Sequence, residues 1–255
     1  MMDRRKFSMT VAAGVAGSLL GAQTSRAAAR VNNVVLVHGL YADGSSWSEC
    51  IVRLQAAGIT VTAVQNPLTS FADDVAATRR ALAMQNGPTV LAAHSYGGMV
   101  ATQAGVAANV TALVYIAARA PDAGEDYTAL AKRFPTPPAS AGLVTVEGFS
   151  RLNEDAFLND FANGVEPIKA HELYAVQAPN VATLSPTART TVAAWRTKPS
   201  WYAVSKQDRT INPDLERFMA ARMKATTIEI DTGHLSLVSH APEVTTLILQ
   251  AAGQA

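Results

Sequence analysis

The chain has 255 residues, of which 49% are hydrophobic and 16% are charged. This length and composition fit one compact α/β domain with a sizeable core. The formal net charge is +1 and the basic residues form no stripe, which argues against nucleic acid as a partner.

Residues 1–29 have the pattern of an export signal. Arg4 and Arg5 form a paired-arginine start, and the apolar run over 9–22 that follows is too short to span a bilayer comfortably. Small residues then lead to Ala27-Ala28-Ala29, where cleavage is expected after Ala27 or Ala29. The pattern resembles a bacterial twin-arginine signal and predicts an exported protein, periplasmic or secreted, with no stable membrane span in its mature form. An uncleaved anchor or a misassigned start codon is the alternative.

The remaining residues, 30–255, alternate predicted strands with predicted helices. Short continuous apolar runs are typical of strands that are buried on both faces of a parallel sheet. Six such runs are present: 34–37, 60–64, 89–93, 110–117, 201–205 and 226–231. Helices between them predict an α/β fold with a doubly wound, mostly parallel sheet, whose ligands bind at the carboxyl ends of the strands.

Several predicted helices have recognisable ends. The spacing of Ser46-Trp47-Ser48-Glu49 is that of a capping box, and it predicts a helix that ends near Gly58. A second helix is predicted over 71–85. Asn212-Pro213 predicts the start of another, and Ala241-Pro242-Glu243 the start of the last.

Residues 121–196 interrupt this alternation, because they contain no convincing buried strand. Short amphipathic segments separated by Pro and Gly predict a helical lid insertion that folds over the active edge of the sheet. The segments cover 125–133, 155–161, 168–177 and 187–195. An ordinary run of surface helices is the alternative.

One predicted strand runs directly into Ser95. A sharp strand-to-helix turn holds a serine hydroxyl exposed beside a base, and it needs small residues two before and two after the serine. Those positions are Ala93 and Gly97, of which Ala93 is a mild departure from the usual glycine. Asp208 and His234 follow in the order Ser…Asp…His, each just past a predicted strand. Ser95 is therefore the predicted nucleophile, His234 the base and Asp208 the acid that orients the base.

Two other carboxylates compete for the acid's role. Asp214 falls inside a predicted helix, where its charge suits the helix dipole. Asp231 lies only three residues before His234, too near in sequence to approach that imidazole from the far side. Asp208 is preferred.

Nothing in the sequence indicates a metal or a cofactor. The five histidines are dispersed, and none is paired with another ligand at metal-binding spacing. Cys50 is the only cysteine; it lies in a helical pattern and is expected to be buried and inert.

Four motifs together resemble the α/β-hydrolase superfamily, within it the small serine esterase branch related to plant methylesterases and hydroxynitrile lyases. They are His38-Gly39-Leu40-Tyr41-Ala42-Asp43-Gly44-Ser45-Ser46-Trp47, Ala92-Ala93-His94-Ser95-Tyr96-Gly97-Gly98, the strand and loop over 199–213, and Thr232-Gly233-His234. The resemblance covers residues 33 to about 253 and implies a minimal form of that fold with about six strands.

The resemblance implies a carboxylic-ester hydrolase that works through an acyl-enzyme. The backbone N–H groups of Leu40 and Tyr96 are then expected to form the oxyanion hole. Candidate substrate-binding residues are His38, Tyr41, His94, Met99, Leu130, Phe134, Phe157 and Leu235. Because most are apolar, we expect a small or medium neutral ester, bound by a monomer or homodimer.

Two other functions stay open. Hydroxynitrile lyases of this branch carry a lysine directly after the catalytic histidine, whereas this chain has Leu235, which argues against lyase activity. A non-catalytic small-ligand-binding protein on the same fold is the other alternative, because a fold does not determine function.

Overall fold

A computed structural model describes residues 31–254 of the chain. The predicted export signal over 1–29 lies outside the described residues. Between 31 and 254, no helix has the length and apolar character needed to cross a membrane.

Six parallel strands form the central sheet. In chain order they are β1 (Asn33–Val37), β2 (Thr60–Val64), β3 (Thr89–His94), β4 (Val110–Ile116), β8 (Ser200–Ser205) and β9 (Thr226–Ile230). Their order across the sheet is β2-β1-β3-β4-β8-β9. All six predicted strands are confirmed to within one residue at each end. The order reverses direction between β1 and β3, and this switch point is where open α/β sheets bind their ligands.

Helices cover both faces of the sheet, and each face has its own apolar core. On one face lie α1 (Ser48–Ala56), α9 (Ser236–Ser239) and α10 (Ala241–Ala251). On the other lie α2 (Phe71–Ala83), α3 (Gly97–Ala104) and α8 (Pro213–Met223). β1 and β3 are buried along their whole length between these layers, which explains their continuous apolar sequences.

The predicted capping box at Ser46 is wrong. A 3-10 turn over Gly44–Trp47 precedes α1, and its cap is Asp43, whose carboxylate accepts from the backbone N–H of Ser45 at 2.8 Å. An aspartate one position before the turn competes effectively for the same free N–H groups. The predicted start of α8 is confirmed, because Asn212 Oδ1 accepts from the N–H of Asp214 at 2.9 Å.

The insertion between β4 and β8 contains helices and also a small sheet that the sequence prediction missed. Its helices are α4 (Tyr127–Ala131), α5 (Glu154–Ala156), α6 (Pro167–Ala175) and α7 (Leu184–Thr187), and a π-helical turn covers Phe157–Phe161. Strands β5 (Leu143–Val146), β6 (Phe149–Leu152) and β7 (Asn180–Val181) form an antiparallel sheet. All four residues of β5 are exposed, although its sequence, Leu-Val-Thr-Val, is mostly apolar. A helix predicted over 187–195 is wrong: α7 ends at Thr187, and only a 3-10 turn over Ala194–Arg196 follows.

Candidate active site

Ser95 lies in the turn between β3 and α3, with a backbone φ of +54°. A non-glycine residue in this left-handed region is uncommon, and the surrounding structure must hold it there. Its N–H donates to the carbonyl of Ile116 at 3.2 Å, and its carbonyl accepts from Gly98 at 3.0 Å and from Arg119 at 2.9 Å. The strained turn is thus fixed from β4 and from the first turn of α3.

Two glycines let the neighbouring loop approach Ser95 closely. A Cβ atom on Gly39 would lie 2.6 Å from the Cβ of Ser95 and 3.2 Å from its Oγ. A Cβ on Gly97 would lie 2.6 Å from the carbonyl oxygen of His38 and 2.7 Å from that of Val37. The loop after β1 therefore packs directly on the turn, which accounts for the small residue required two positions after the serine.

His234 and Asp208 meet at the carboxyl end of the sheet, as the sequence predicts. His234 Nδ1 lies 2.5 Å from Asp208 Oδ2, and neither side chain is exposed. The other carboxylate oxygen of Asp208 accepts from the N–H groups of Thr210 at 2.6 Å and Ile211 at 2.8 Å. With the Nδ1 proton held by Asp208, Nε2 of His234 has a free lone pair; this buried atom has no partner among the described residues. An imidazole so arranged can accept a proton at Nε2.

The competing acids lie elsewhere. Asp231 accepts from Gln207 Nε2 at 3.0 Å and lies 3.6 Å from Lys206 Nζ. Asp214 pairs with Arg217 on the surface of α8 at 2.8 Å.

The two expected oxyanion donors lie at the ends of neighbouring strands. Leu40 follows β1, and Tyr96 precedes the first residue of α3. Neither backbone N–H donates to a protein acceptor within 31–254. Free N–H groups at a helix N-terminus favour a negatively charged ligand.

His38 and His94 support the loops around this site. The N–H of Asn66 donates to His38 Nε2 at 2.9 Å, so the ring proton is on Nδ1 and is donated to the carbonyl of Gly39 at 2.8 Å. Burial lowers the pKa of His38 and, more strongly, that of His94. His94 Nε2 lies 3.1 Å from the carbonyl oxygen of His234, and the two rings are 4.6 Å apart. Both histidines are therefore neutral groups that position their neighbours.

The model of the Alpha/beta hydrolase family matches residues 34–246. The chain belongs to the alpha/beta hydrolase family. The resemblance read from the four motifs is thereby confirmed. Comparison with curated protein sequences gave no significant match.

Solved structures similar to this hydrolase include three esterases or hydrolases at low sequence identity. Polyneuridine aldehyde esterase is 18% identical, with a TM-score of 0.72 over 87% of this chain and 99% of that one. A methylesterase from Arabidopsis is 14% identical, with a TM-score of 0.71 over 88% and 100%. A pyrethroid hydrolase from Sphingobium faniae is 16% identical, with a TM-score of 0.71 over 87% and 97%. At these identities the likeness establishes the shared fold.

The insertion of the hydrolase is fastened to the loop that carries Asp208. Arg209 Nε donates to Asp160 Oδ1 at 2.6 Å, and Asn163 Nδ2 donates to the carbonyl of Gln207 at 2.9 Å. Phe161, the last residue of the π-helical turn, lies between these two contacts and packs onto His234, with 5.2 Å between ring centroids. Extra turns of this type are frequent at functional sites.

The predicted substrate-binding residues separate into two groups. Tyr41 is partly exposed and packs edge-on against Phe161 at 6.0 Å, beside the site. The others are packing residues: Met99 and Leu130 lie in the core of one sheet face, Leu235 in that of the other, and Phe134 packs on Phe218. Phe157 is fully buried inside the insertion, so the aromatic ring at His234 is Phe161 instead. Phe157 and Phe161 are four residues apart and share one face of a predicted helix, so the sequence does not show which of them lies against His234.

Glu216 in α8 was not predicted from the sequence to belong to the site, and it has no solvent exposure. Its Oε2 accepts from the N–H of Ser205 at 3.1 Å. Burial, and then the adjacent charge of Asp208, raise the pKa of Glu216 well above its usual range. Its other oxygen, Oε1, is buried and has no hydrogen-bond partner among residues 31–254. The only signal in the sequence is a glutamate four residues after the helix cap, on an otherwise apolar helix face.

Proposed function

We propose that this protein is a serine hydrolase that cleaves a small or medium carboxylic ester through an acyl-enzyme intermediate. The observation that carries the proposal is the 2.5 Å contact between His234 Nδ1 and Asp208, which leaves the buried Nε2 of His234 free at the sheet edge that holds Ser95. Family membership and the names of the structural neighbours, two of which are esterases, support hydrolysis of an ester.

In the proposed reaction, Ser95 Oγ attacks the ester carbonyl while His234 takes the hydroxyl proton. The tetrahedral oxyanion accepts from the N–H groups of Leu40 and Tyr96. His234 then gives its proton to the departing alkoxide, and an ester between Ser95 and the acyl group remains. Water, deprotonated by His234, attacks this ester and releases the acid. Asp208 stabilises the imidazolium in both halves of the reaction. Each oxyanion donor contributes about 2.7–4 kcal/mol to transition-state stabilisation in enzymes of this type.

Leu235 is buried directly after His234, and we propose no lyase activity for that reason. An apolar side chain at this position offers no positive charge for a cyanide leaving group. We expect no cleavage of mandelonitrile.

The proposal is tested by kinetics on esters of increasing acyl length with the wild type and Ser95→Ala. Loss of the serine in such a triad lowers turnover by about a millionfold. Alanine fits the same turn, so an unchanged melting temperature is the control for folding. Undiminished hydrolysis by the alanine variant, or mandelonitrile cleavage at the rate of the best ester, would contradict the proposal.

We also propose export through the twin-arginine route, on the pattern of residues 1–29 alone. Sequencing of the N-terminus of the exported protein should begin at Ala28 or Arg30. Recovery of the uncleaved chain from the membrane would contradict this.

A further inference from the structure

We infer that Arg119 binds a carboxylate group of the substrate, so that the ester cleaved by this protein is anionic. This deepens the proposed serine-ester function, on which it rests. It also departs from the neutral ester that the apolar candidates led us to expect.

Arg119 is attached to the turn that carries the nucleophile. It lies three residues after the end of β4, and its N–H donates to the carbonyl of Ser95 at 2.9 Å. A Cβ on Gly98 would collide with the carbonyl oxygen of Arg119, so the backbones of the two segments are in direct contact. Burial raises the pKa of Tyr41, and the charge of Arg119 opposes that shift. The charge of Arg119 is therefore felt at Tyr41, which directly follows the expected oxyanion donor Leu40.

The positive charge of Arg119 lacks an acidic partner among residues 31–254. Its side chain makes one hydrogen bond, from Nη1 to Ser185 Oγ at 2.8 Å, and lies 4.9 Å from the ring centroid of Tyr127. Its Nε is buried without a partner. Arg189, Arg196 and Arg222 differ, because each pairs with a carboxylate. Arg133 and Arg151 of the insertion form no such pair with a described residue either, but both are exposed, whereas Arg119 is partly buried.

A partly buried guanidinium without an acidic partner is expected to bind an anion. A guanidinium stays protonated at every physiological pH, and taking it out of water without a partner is unfavourable. Its fork of donors matches a carboxylate, which it binds through two parallel hydrogen bonds.

Arg119 lines a cavity of about 190 Å³. Its walls include Tyr127, Ser185, Thr210 and Ile211. The N–H groups of Thr210 and Ile211 hold the carboxylate of Asp208, so the cavity adjoins the loop of the catalytic acid. Its volume suits a short chain that ends in a charged group.

The first test compares matched esters on the wild-type protein. In one arm, monomethyl esters of dicarboxylic acids are compared with methyl alkanoates of equal chain length. In the other, O-acetyl hydroxy acids are compared with acetates of the matching alcohols. We expect kcat/KM to be about ten- to a hundredfold higher for the anionic ester in one arm, the range given by a charge-assisted hydrogen-bond pair. The arm with the preference identifies whether the acyl or the alcohol half carries the carboxylate. No preference in either arm would overturn the inference.

The second test uses Arg119→Met, which keeps the length of the side chain and removes its charge. We expect the ratio of anionic to neutral kcat/KM to fall to about one, and Arg119→Lys to retain part of it. Arg133→Met is the matched control, because Arg133 is exposed and also stacks on an aromatic ring, that of Phe218. It should leave the ratio unchanged. If Arg119→Met lowers kcat/KM equally for the anionic and the neutral ester, Arg119 only stabilises the local structure through its contacts with Ser185 and Tyr127, and the inference is wrong.

Two further measurements test the inference without relying on turnover by Arg119→Met. If Arg119→Met does not fold, the wild-type preference must fall with added salt, as for a partly exposed ion pair; a salt-independent preference would contradict the inference. Calorimetry on Ser95→Ala measures binding of the anionic ester without turnover, and adding Arg119→Met should abolish it. Ester hydrolysis that survives Ser95→Ala would remove the proposed function, whereas this binding measurement would still report on Arg119.

Discussion

At the scale of single residues, the neutral carboxyl of Glu216 makes stability depend on pH. The folded protein holds its proton more tightly than the unfolded chain, because burial and Asp208 raise its pKa. The resulting stabilisation is fully present below the unfolded pKa of glutamate, about 4.3, and is lost as the pH rises through the folded pKa.

Glu216→Gln should therefore gain stability relative to the wild type as the pH increases. The amide oxygen can still accept from the N–H of Ser205, but the side chain has no proton to lose. We expect the difference in Tm to grow in favour of the variant between pH 5 and pH 8. The growth should be about 2–4 °C for each kcal/mol of unfolding free energy that the wild type loses over this range. The exposed Glu243→Gln is the control and should show no such trend. An equal Tm difference at both pH values would show that Glu216 is ionised in the folded protein.

The orientation of His234 depends on Asp208, and a second substitution tests this. Asp208→Asn should lower turnover by about 10⁴-fold, because an amide favours the wrong imidazole tautomer. Asp231→Asn is the matched control, since Asp231 contacts Lys206 and Gln207 instead. A large loss with Asp231→Asn and little with Asp208→Asn, both measured on the best ester, would move the acid to Asp231.

At the scale of elements, the contact between the loop after β1 and the first turn of α3 sets the geometry of the turn at Ser95. Gly97→Ala would place a methyl group against two backbone carbonyls that cannot move independently of β1. We expect a loss of about 1–3 kcal/mol in unfolding free energy, as for other overpacked sites, together with a loss of ester hydrolysis.

A glycine far from the site separates these two effects. Gly124 is exposed, has a φ of +74° and would meet no atom within 4 Å of an added Cβ. Gly124→Ala should reduce stability through backbone strain alone and leave ester hydrolysis intact. Both variants are compared by denaturant unfolding and by ester kinetics. Full activity of Gly97→Ala would show that the close contact between the loop after β1 and α3 is not needed for ester hydrolysis.

The elements that sequence reasoning identified are those whose burial leaves a pattern. Apolar runs located all six strands of the central sheet. The inner strands are almost wholly buried, whereas the edge strands β2 and β9 are partly exposed and were found by their position in the alternation of strands and helices. The β5–β6 hairpin was missed although β5 is a mostly apolar run, because this run is only four residues long and is exposed instead of buried in a core. The turn of this hairpin lies at Glu147 and Gly148, both of which have positive φ.

At the scale of the whole molecule, the chain order of Ser95, Asp208 and His234 was predictable because each follows a strand of one parallel sheet. Their environment was not, because it depends on tertiary contacts. Phe161 rather than Phe157 reaches His234 through the π-helical turn, and Glu216 reaches Asp208 from α8. Arg119 looks like any other arginine in the sequence, and only the structure shows that it lacks a carboxylate partner.

The central claim, that Ser95 is a nucleophile activated by His234 and Asp208, is tested most directly by covalent labelling. The wild-type protein is treated with a fluorophosphonate, and the modified residue is identified by peptide mass spectrometry. We expect one adduct, on Ser95, with none in Ser95→Ala and a much slower reaction in Asp208→Asn. A protein that hydrolyses esters but is labelled at another serine, or is not labelled at all, would contradict the account.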